Sequence, residues 1–139
     1  GFMLLTTGNK SEMAVGYSTL YGDMAGGFAP IKDCSKSLVY RLARYRNSLN
    51  LAIPERVITR EPSAELRPNQ RDSDSLPDYT DLDSILEAFI EKDLSVDEIT
   101  KLGFERHIII KVLDMVKPVR DTFHFYLSIL IGDYLWMNL

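Results

Sequence analysis

The sequence predicts an α/β fold that is mostly helical. Residues 2–5 are a short apolar run typical of a buried strand, and a polar loop at residues 6–9 leads into a helix predicted for residues 10–22. Apolar residues recur at helical spacing in three further segments, which are residues 38–43, 82–90 and 108–116. Open α/β sheets bind ligands where a strand ends and a helix begins. The start of the chain is therefore the best candidate for a binding site.

Composition narrows the class of protein. The chain is 45% hydrophobic and 26% charged, as ordinary globular domains are, and its net charge is −4 at pH 7. That charge disfavours an electrostatic nucleic-acid binder, and the single cysteine, Cys34, excludes an internal disulfide. The first residues lack the features of a signal peptide, so they resemble a chain that begins within a fold. We expect a cytoplasmic protein with no nucleic-acid and no membrane partner.

The starts of the first two helices carry the candidate site. Asn9 is predicted to cap the first helix, with Glu12 completing a capping box. Threonines and free backbone N–H groups at this helix start favour a phosphate or carboxylate ligand. Asp33 or Ser35 is predicted to cap the second helix. Lys36 follows in its first turn, where a cation opposes the helix dipole, and a residue placed against its local preference is more often functional.

Residues 59–78 are predicted to form a long loop, after a short strand or turn at residues 54–58. The loop is rich in proline and mixed charges and has no sustained apolar period. A loop of this length in a compact domain is usually functional or disordered. A mobile lid over a charged ligand and a plain linker both remain open on these residues alone.

The last part of the chain is predicted to be helical up to residue 116. Thr80 is expected to cap a helix whose apolar stripe lies in the core, and Ser95 and Glu98 predict a capping box for a short helix that ends at Gly103. A third helix is predicted for residues 105–116. The stripe of the first of these helices consists of Leu82, Ile85, Leu86, Phe89 and Ile90.

Pro118 is expected to break the last helix, which divides the chain into a domain at residues 1–116 and an apolar tail at residues 117–139. The tail is dense in aromatic residues but is interrupted by Asp133, so it is a poor membrane span. A final helix, a strand and an exposed segment that promotes aggregation all remain open.

Long stretches of the chain resemble the synthetase domain of glutamine-dependent NAD synthetases. The resemblance covers residues 1–116 and is carried by TTGNKSEMAVGYSTLYGDMAGGFAPIKD, KSLVYRLARYRN, IPERVITREPSAELRPNQRDSDSLPDY and LDSILEAFIEKDLSVDEI. It implies the C-terminal portion of a Rossmann-like parallel-sheet nucleotide-binding fold. It also implies an ATP-dependent ligase that amidates nicotinic acid adenine dinucleotide through an adenylate, with ammonia from glutamine. ATP and Mg²⁺ are the implied cofactors, and a homo-oligomer is expected.

The resemblance also assigns roles to individual residues. Glu12 would hold Mg²⁺ or meet the dinucleotide, and the residues from 59 to 78 become a lid. No serine, cysteine or histidine has the partners that covalent catalysis needs, so no catalytic residue is assigned. The implied ATP contacts are Thr7, Lys36 and Ser63, and the implied dinucleotide contacts are Glu12, Tyr17, Ser18, Thr19, Leu20 and Asp23.

Three features of the family have no counterpart in the 139 residues. The family's Ser-Gly-Gly-x-Asp-Ser loop, which binds pyrophosphate, is absent, as is an amidase domain with its nucleophilic cysteine. The basic Tyr-Lys-Arg-Arg-Gln motif expected after residue 116 is replaced by the apolar tail, which suggests a frame-shifted or otherwise altered end. We therefore expect no NAD synthesis by this chain alone. The alternative is a remnant without activity that binds a nucleotide or a partner.

Overall fold

The computed structural model describes residues 1–18, 24–63 and 70–136, with side chains described up to residue 122. Within these residues the chain forms six α-helices, and α4 continues as one π-helical turn over Glu87–Glu91. A single 3₁₀ turn, Asp72–Asp74, precedes α4. The helices are α1 (Lys10–Ala14), α2 (Lys36–Leu49), α3 (Glu55–Thr59), α4 (Tyr79–Leu86), α5 (Val96–Lys101) and α6 (Arg106–Trp136).

The hydrophobic core lies where α4, α5 and α6 pack together, with α1 against α4 and α6. The predicted stripe of α4 is confirmed at Leu82, Ile85 and Leu86, which are buried. Ile90, at the end of that stripe, is 46% exposed, because the π-helical turn changes the angle at which successive side chains leave the helix. α6 contributes Ile109, Val112 and Val116 from the predicted apolar face.

The first helix is shorter than predicted. α1 ends at Ala14 because the chain turns at Gly16, whose φ is +74°. The Gly16 N–H donates to the Met13 carbonyl at 3.3 Å, and the Tyr17 N–H donates to the Glu12 carbonyl at 2.8 Å. This is the bond pattern of a Schellman C-cap, in which glycine adopts the left-handed conformation without a Cβ penalty. The prediction that the helix continues to residue 22 is therefore wrong.

The predicted buried strand at residues 2–5 is also wrong. Leu5 forms an isolated parallel bridge with Phe28, and the Gly27 N–H donates to the Leu4 carbonyl at 2.9 Å. The side chains are exposed, 57% in the case of Leu5, because no second layer covers the bridge within the described residues. The prediction of a mostly helical chain is confirmed, whereas the described residues form no parallel sheet beyond this bridge.

Most predicted helix caps are confirmed. Ser35 caps α2, and capping boxes form at the starts of α1 and α5 as the sequence indicates. The cap of α4 is Asp78 rather than Thr80. The Asp78 carboxylate accepts the Thr80 N–H at 2.8 Å, because the helix begins one residue before the threonine.

The predicted strand or turn at residues 54–58 is helical. α3 begins after Pro54, whose restricted φ is compatible with a helix start. The loop predicted for residues 59–78 is correspondingly shorter, because α3 includes Thr59 and a 3₁₀ turn occupies Asp72–Asp74. Residues 64–69 of the predicted lid lie outside the described residues.

The prediction that Pro118 ends the last helix is wrong. α6 continues through Pro118 to Trp136, so of the three alternatives for the tail the backbone adopts the final helix. A proline inside a helix removes one backbone donor and crowds the carbonyl four residues earlier, here that of Asp114. Both residues are exposed, so water can satisfy that carbonyl. No helix in the described part of the chain combines the length and apolar character needed to cross a bilayer.

The adjacent residues Ile109 and Ile110 test the position of the core. We expect Ile109→Ala to lower the free energy of unfolding by about 2–5 kcal/mol, because its side chain is fully buried. Ile110→Ala makes the same chemical change in the same helix at a side chain that is 43% exposed, and should cost less than about 1 kcal/mol. Urea unfolding of the 139-residue chain measures both, and equal losses would contradict this placement of the core.

Candidate functional site

The centre of the candidate site is an ion pair between the first two helices. The Lys36 ammonium lies 2.6 Å from Oε1 of Glu12, and the side chains are only 16% and 17% exposed. Lys36 is the first residue of α2 and Glu12 lies in the first turn of α1. The structure therefore brings together two of the predicted site residues. The carboxylate compensates the lysine, whose charge opposes the dipole of α2.

The start of α2 is fixed by groups from α1 and α4. The Lys36 N–H donates to Ser11 Oγ at 2.9 Å, and the Ser37 N–H donates to Oδ2 of Asp83 at 2.8 Å. Ser11 Oγ also forms a hydrogen bond with Oδ1 of Asp83. One carboxylate thus joins three helices and occupies a backbone donor at the start of α2.

Backbone donors at the start of α1 are engaged as well. The Lys10 N–H donates to the Cys34 carbonyl at 2.9 Å, and the Glu12 N–H donates to the Asn9 side chain at 3.0 Å. These two donors therefore do not supply the anion site that the sequence predicts at this helix start.

Two aromatic rings cover the Lys36 ammonium. The ring centroids of Tyr40 and Tyr79 lie 5.8 Å and 5.4 Å from Nζ, within the range of cation–π attraction. The Tyr79 hydroxyl donates to Oδ2 of Asp72 at 2.6 Å, and Asp72 is only 3% exposed. Burial raises the pKa of the Tyr79 hydroxyl, and its hydrogen bond to the Asp72 carboxylate raises it further, so the hydroxyl remains a donor.

The other predicted residues that the structure describes lie in three separate segments. Thr7 is exposed in the loop after the Leu5 bridge, and Ser63 is half-buried in the loop after α3. The Tyr17 hydroxyl shares a hydrogen bond with Ser75 Oγ. Ser18 Oγ is buried and has no hydrogen-bond partner in the described part of the chain. Thr19, Leu20 and Asp23 lie outside the described residues.

A cleft of about 350 Å³ lies beside the Leu5–Phe28 bridge. Gly26 lines this cleft. Its backbone lies so close to Leu4 that a Cβ on Gly26 would be 2.7 Å from the Leu4 carbonyl oxygen, closer than real Cβ atoms approach. Residues on both sides of Phe28 line the cleft, whereas those from the first segment all follow Leu5, so the cleft borders the carboxyl end of the Leu5 segment. The lining includes Thr6, Gly8, Gly27, Ala29 and Lys32.

The fit of a magnesium ion depends on the oxygens of Glu12. Oε1 contacts the Lys36 ammonium, and Oε2 accepts the Asn9 N–H at 3.3 Å. No group of three acidic, histidine or cysteine side chains in the described part of the chain gathers in a way that would hold a metal. These residues therefore do not form a magnesium site by themselves, since Mg²⁺ needs several oxygen ligands in near-octahedral geometry.

Sequence reasoning missed three residues that shape the site, namely Asp72, Tyr79 and Asp83. A signal for Asp83 was present, because it lies four residues after Tyr79 and three before Leu86, on the side of α4 that packs inward. The burial of Asp72 has no such signal. It depends on how the loop folds back onto α4, which no local pattern encodes.

Comparisons with family models and with known proteins match this chain to the same family. A family model described as NAD synthase matches residues 1–122. The glutamine-dependent NAD(+) synthetase of Aquifex aeolicus is 58% identical over 116 residues, a match that covers 84% of this chain and 20% of the relative. The protein of the same name from Acinetobacter baylyi is 58% identical over 118 residues, covering 84% and 22%. This chain therefore spans about a fifth of the length of these relatives.

A solved structure gives a match of the fold. The NMN synthetase from Francisella tularensis matches with a TM-score of 0.59 and 26% identity, over 88% of this chain and 43% of that one.

The Glu12–Lys36 pair yields a stability prediction. We expect Glu12→Gln to lower the free energy of unfolding by about 2–4 kcal/mol, because it leaves a largely buried ammonium without its counter-charge. Glu91→Gln makes the same change in the exposed pair with Lys10 and should cost less than about 1 kcal/mol. Chemical denaturation at neutral pH measures both variants. Equal costs would show that the buried pair has no special role.

Proposed function

Because this chain belongs to the NAD synthase family, we propose that it supplies part of the ATP and dinucleotide sites of a glutamine-dependent NAD synthetase. In the proposed reaction, the carboxylate of nicotinic acid adenine dinucleotide attacks the α-phosphate of ATP and pyrophosphate leaves. Ammonia, derived from glutamine, then displaces AMP from the adenylate and gives NAD. Catalysis of this kind needs positioning and charge stabilisation rather than a protein nucleophile.

The observation that carries this proposal is the position of Lys36. Its ammonium is held between Glu12 and two tyrosine rings at the start of α2. An ammonium has three N–H donors, and the Glu12 carboxylate accepts one of them. The other two can point to oxygens of the ATP phosphates, where a fixed cation stabilises the charge that develops as pyrophosphate leaves.

Thr7 is the second proposed ATP contact. It stands between Thr6 and Gly8, which line the cleft and follow the carboxyl end of the bridged Leu5 segment. Ligands of open α/β sheets bind at such ends, which supports a nucleotide there and a Rossmann-like sheet in a longer protein. Ser63 is the third proposed contact, and its hydroxyl would reach ATP from the loop after α3.

The dinucleotide would lie along the segment after α1. Ser18 Oγ is buried without a hydrogen-bond partner among the described residues. A ligand that forms a hydrogen bond with such a hydroxyl removes the free-energy cost of leaving it unsatisfied. Tyr17 would be held by its bond to Ser75. The remaining proposed contacts to the dinucleotide are Glu12, Thr19, Leu20 and Asp23, and these contacts stay predictions. A cytoplasmic location and a homo-oligomer also stay predictions.

Magnesium would accompany ATP, and its charge would offset that of the phosphates. Glu12 is the proposed protein ligand. Both of its oxygens have partners in the present arrangement, so Glu12 would have to share or give up one of these contacts to bind Mg²⁺. The remaining oxygen ligands would have to come from ATP, water and other residues.

A chimeric enzyme tests the proposed function. The 116 matched residues of the Aquifex aeolicus enzyme are replaced by those of this chain. NAD is then measured with ATP, ammonia and nicotinic acid adenine dinucleotide. We expect the chimera to form NAD, and we expect Lys36→Ala in it to lower kcat/KM for ATP about 100-fold or more, because a cation on the phosphates is lost.

Lys111→Ala is the matched control, because Lys111 is an exposed lysine on α6 and does not line the cleft beside the Leu5–Phe28 bridge. It should change kcat/KM less than about threefold. We also expect the unfused 139-residue chain to form no NAD. A folded chimera that makes no NAD would overturn the proposed function, and turnover by the unfused chain would overturn the expectation that it is inactive alone.

A further inference from the structure

We propose that Tyr79 is a positioning residue that fixes Lys36 relative to the base of the loop between α3 and α4. Its ring lies over the Lys36 ammonium and its hydroxyl donates to Asp72. One side chain therefore contacts both the lysine and the loop. The consequence for ATP rests on the proposed function, whereas the coupling among the three residues does not.

The loop is closed at its base by contacts between its two ends. The Asp72 N–H donates to the Pro62 carbonyl at 3.0 Å, and the Arg71 guanidinium lies 3.2 Å from the Glu61 carboxylate. Residues at the start and end of the loop are thus neighbours. Ser63 directly follows Pro62, so the position of Asp72 also sets the position of the proposed ATP contact in the loop.

The Asp72–Tyr79 bond is well suited to transmit position. Asp72 is almost fully buried, and a hydroxyl that donates to a carboxylate makes one of the shorter and stronger hydrogen bonds in proteins. Because burial also raises the pKa of the Tyr79 hydroxyl, the donor persists over the whole physiological pH range.

Of the two rings near Lys36, only that of Tyr79 comes from another element. Tyr40 lies four residues after Lys36 on α2, so it moves with the lysine and carries no information about the loop. Tyr79 begins α4, which follows the loop directly. Its ring is therefore the aromatic contact through which a displaced loop base would displace the lysine.

Nuclear magnetic resonance of the full 139-residue chain tests the coupling without any nucleotide. The ε-protons of Lys36 should carry a ring-current shift from the two tyrosines. Tyr79→Phe keeps the ring but removes the hydroxyl, and Asp72→Ala removes the acceptor. We expect both variants to move the Lys36 signal in the same direction and to speed amide hydrogen exchange at Glu61, Ser63 and residues 70–74, because the ring and the loop base lose their shared bond.

Each single variant removes only one side of the Tyr79–Asp72 hydrogen bond, so the double variant Tyr79→Phe/Asp72→Ala, which removes both sides, is included. Tyr45→Phe is the control, since it deletes the hydroxyl of an exposed tyrosine on α2 and should leave the Lys36 signal unchanged. Far-ultraviolet circular dichroism confirms folding. The proposal is overturned if a folded Asp72 or double variant leaves the Lys36 signal in its original place.

The chimera provides the functional readout. Tyr79→Phe should lower kcat/KM for ATP about tenfold, the effect of one hydrogen bond to a charged group. In the Lys36→Ala background the same substitution should have an effect of less than about twofold, because Tyr79 acts through the lysine. Equal effects in both backgrounds would overturn the positioning role. If the coupling appears by magnetic resonance but the chimera makes no NAD, the proposed function fails and the coupling stands.

Discussion

The structure of the candidate site depends on the carboxylate of Asp83. One oxygen of Asp83 accepts a hydrogen bond from the backbone N–H of Ser37, and the other accepts one from the hydroxyl of Ser11. These contacts hold the starts of α1 and α2 side by side against α4, which is part of the core. Because Glu12 and Lys36 belong to those two helix starts, their pairing follows from the position of Asp83. The site is thus built on a polar junction at the edge of the apolar core, against which α1 also packs.

The Glu12–Lys36 pair has a structural and a proposed functional role, and the two are compatible. A buried pair costs desolvation energy, and replacing such a pair by apolar residues is often neutral or stabilising. Stability alone therefore gives little reason to place these charges here. A lysine whose charge is compensated by Glu12 can instead be held in position inside the folded chain. A ligand with a larger negative charge than one carboxylate then attracts it more strongly than Glu12 does.

Sequence patterns predicted the parts of the structure that depend on interactions between residues close together in the chain. The capping boxes at Asn9 and Ser95 and the apolar faces of α4 and α6 follow from side chains a few residues apart. They are confirmed, apart from Ile90 at the end of the α4 stripe. The end of α1 was missed although its signal, Gly16, is local. The apolar pattern continues past this glycine and outweighed it.

The site was harder to predict because it depends on contacts between distant segments. Glu12 and Lys36 were each singled out, but nothing in the sequence pattern showed that they neutralise each other. The unfavourable placement of Lys36 in a first helical turn indicates function when the sequence is considered alone. The ion pair with Glu12 gives that placement a structural explanation as well. Asp72 lies in a loop without periodicity, so its burial was not predictable.

The most direct test of this account is a crystal structure of the chimera with a non-hydrolysable ATP analogue. We expect the Lys36 ammonium to lie about 2.7–2.9 Å from a phosphate oxygen, the distance of a charge-assisted hydrogen bond. Tyr79 should keep its contact with Asp72 in the same structure. A nucleotide bound with its phosphates out of reach of Lys36, while Lys36 stays paired with Glu12 alone, would contradict the account.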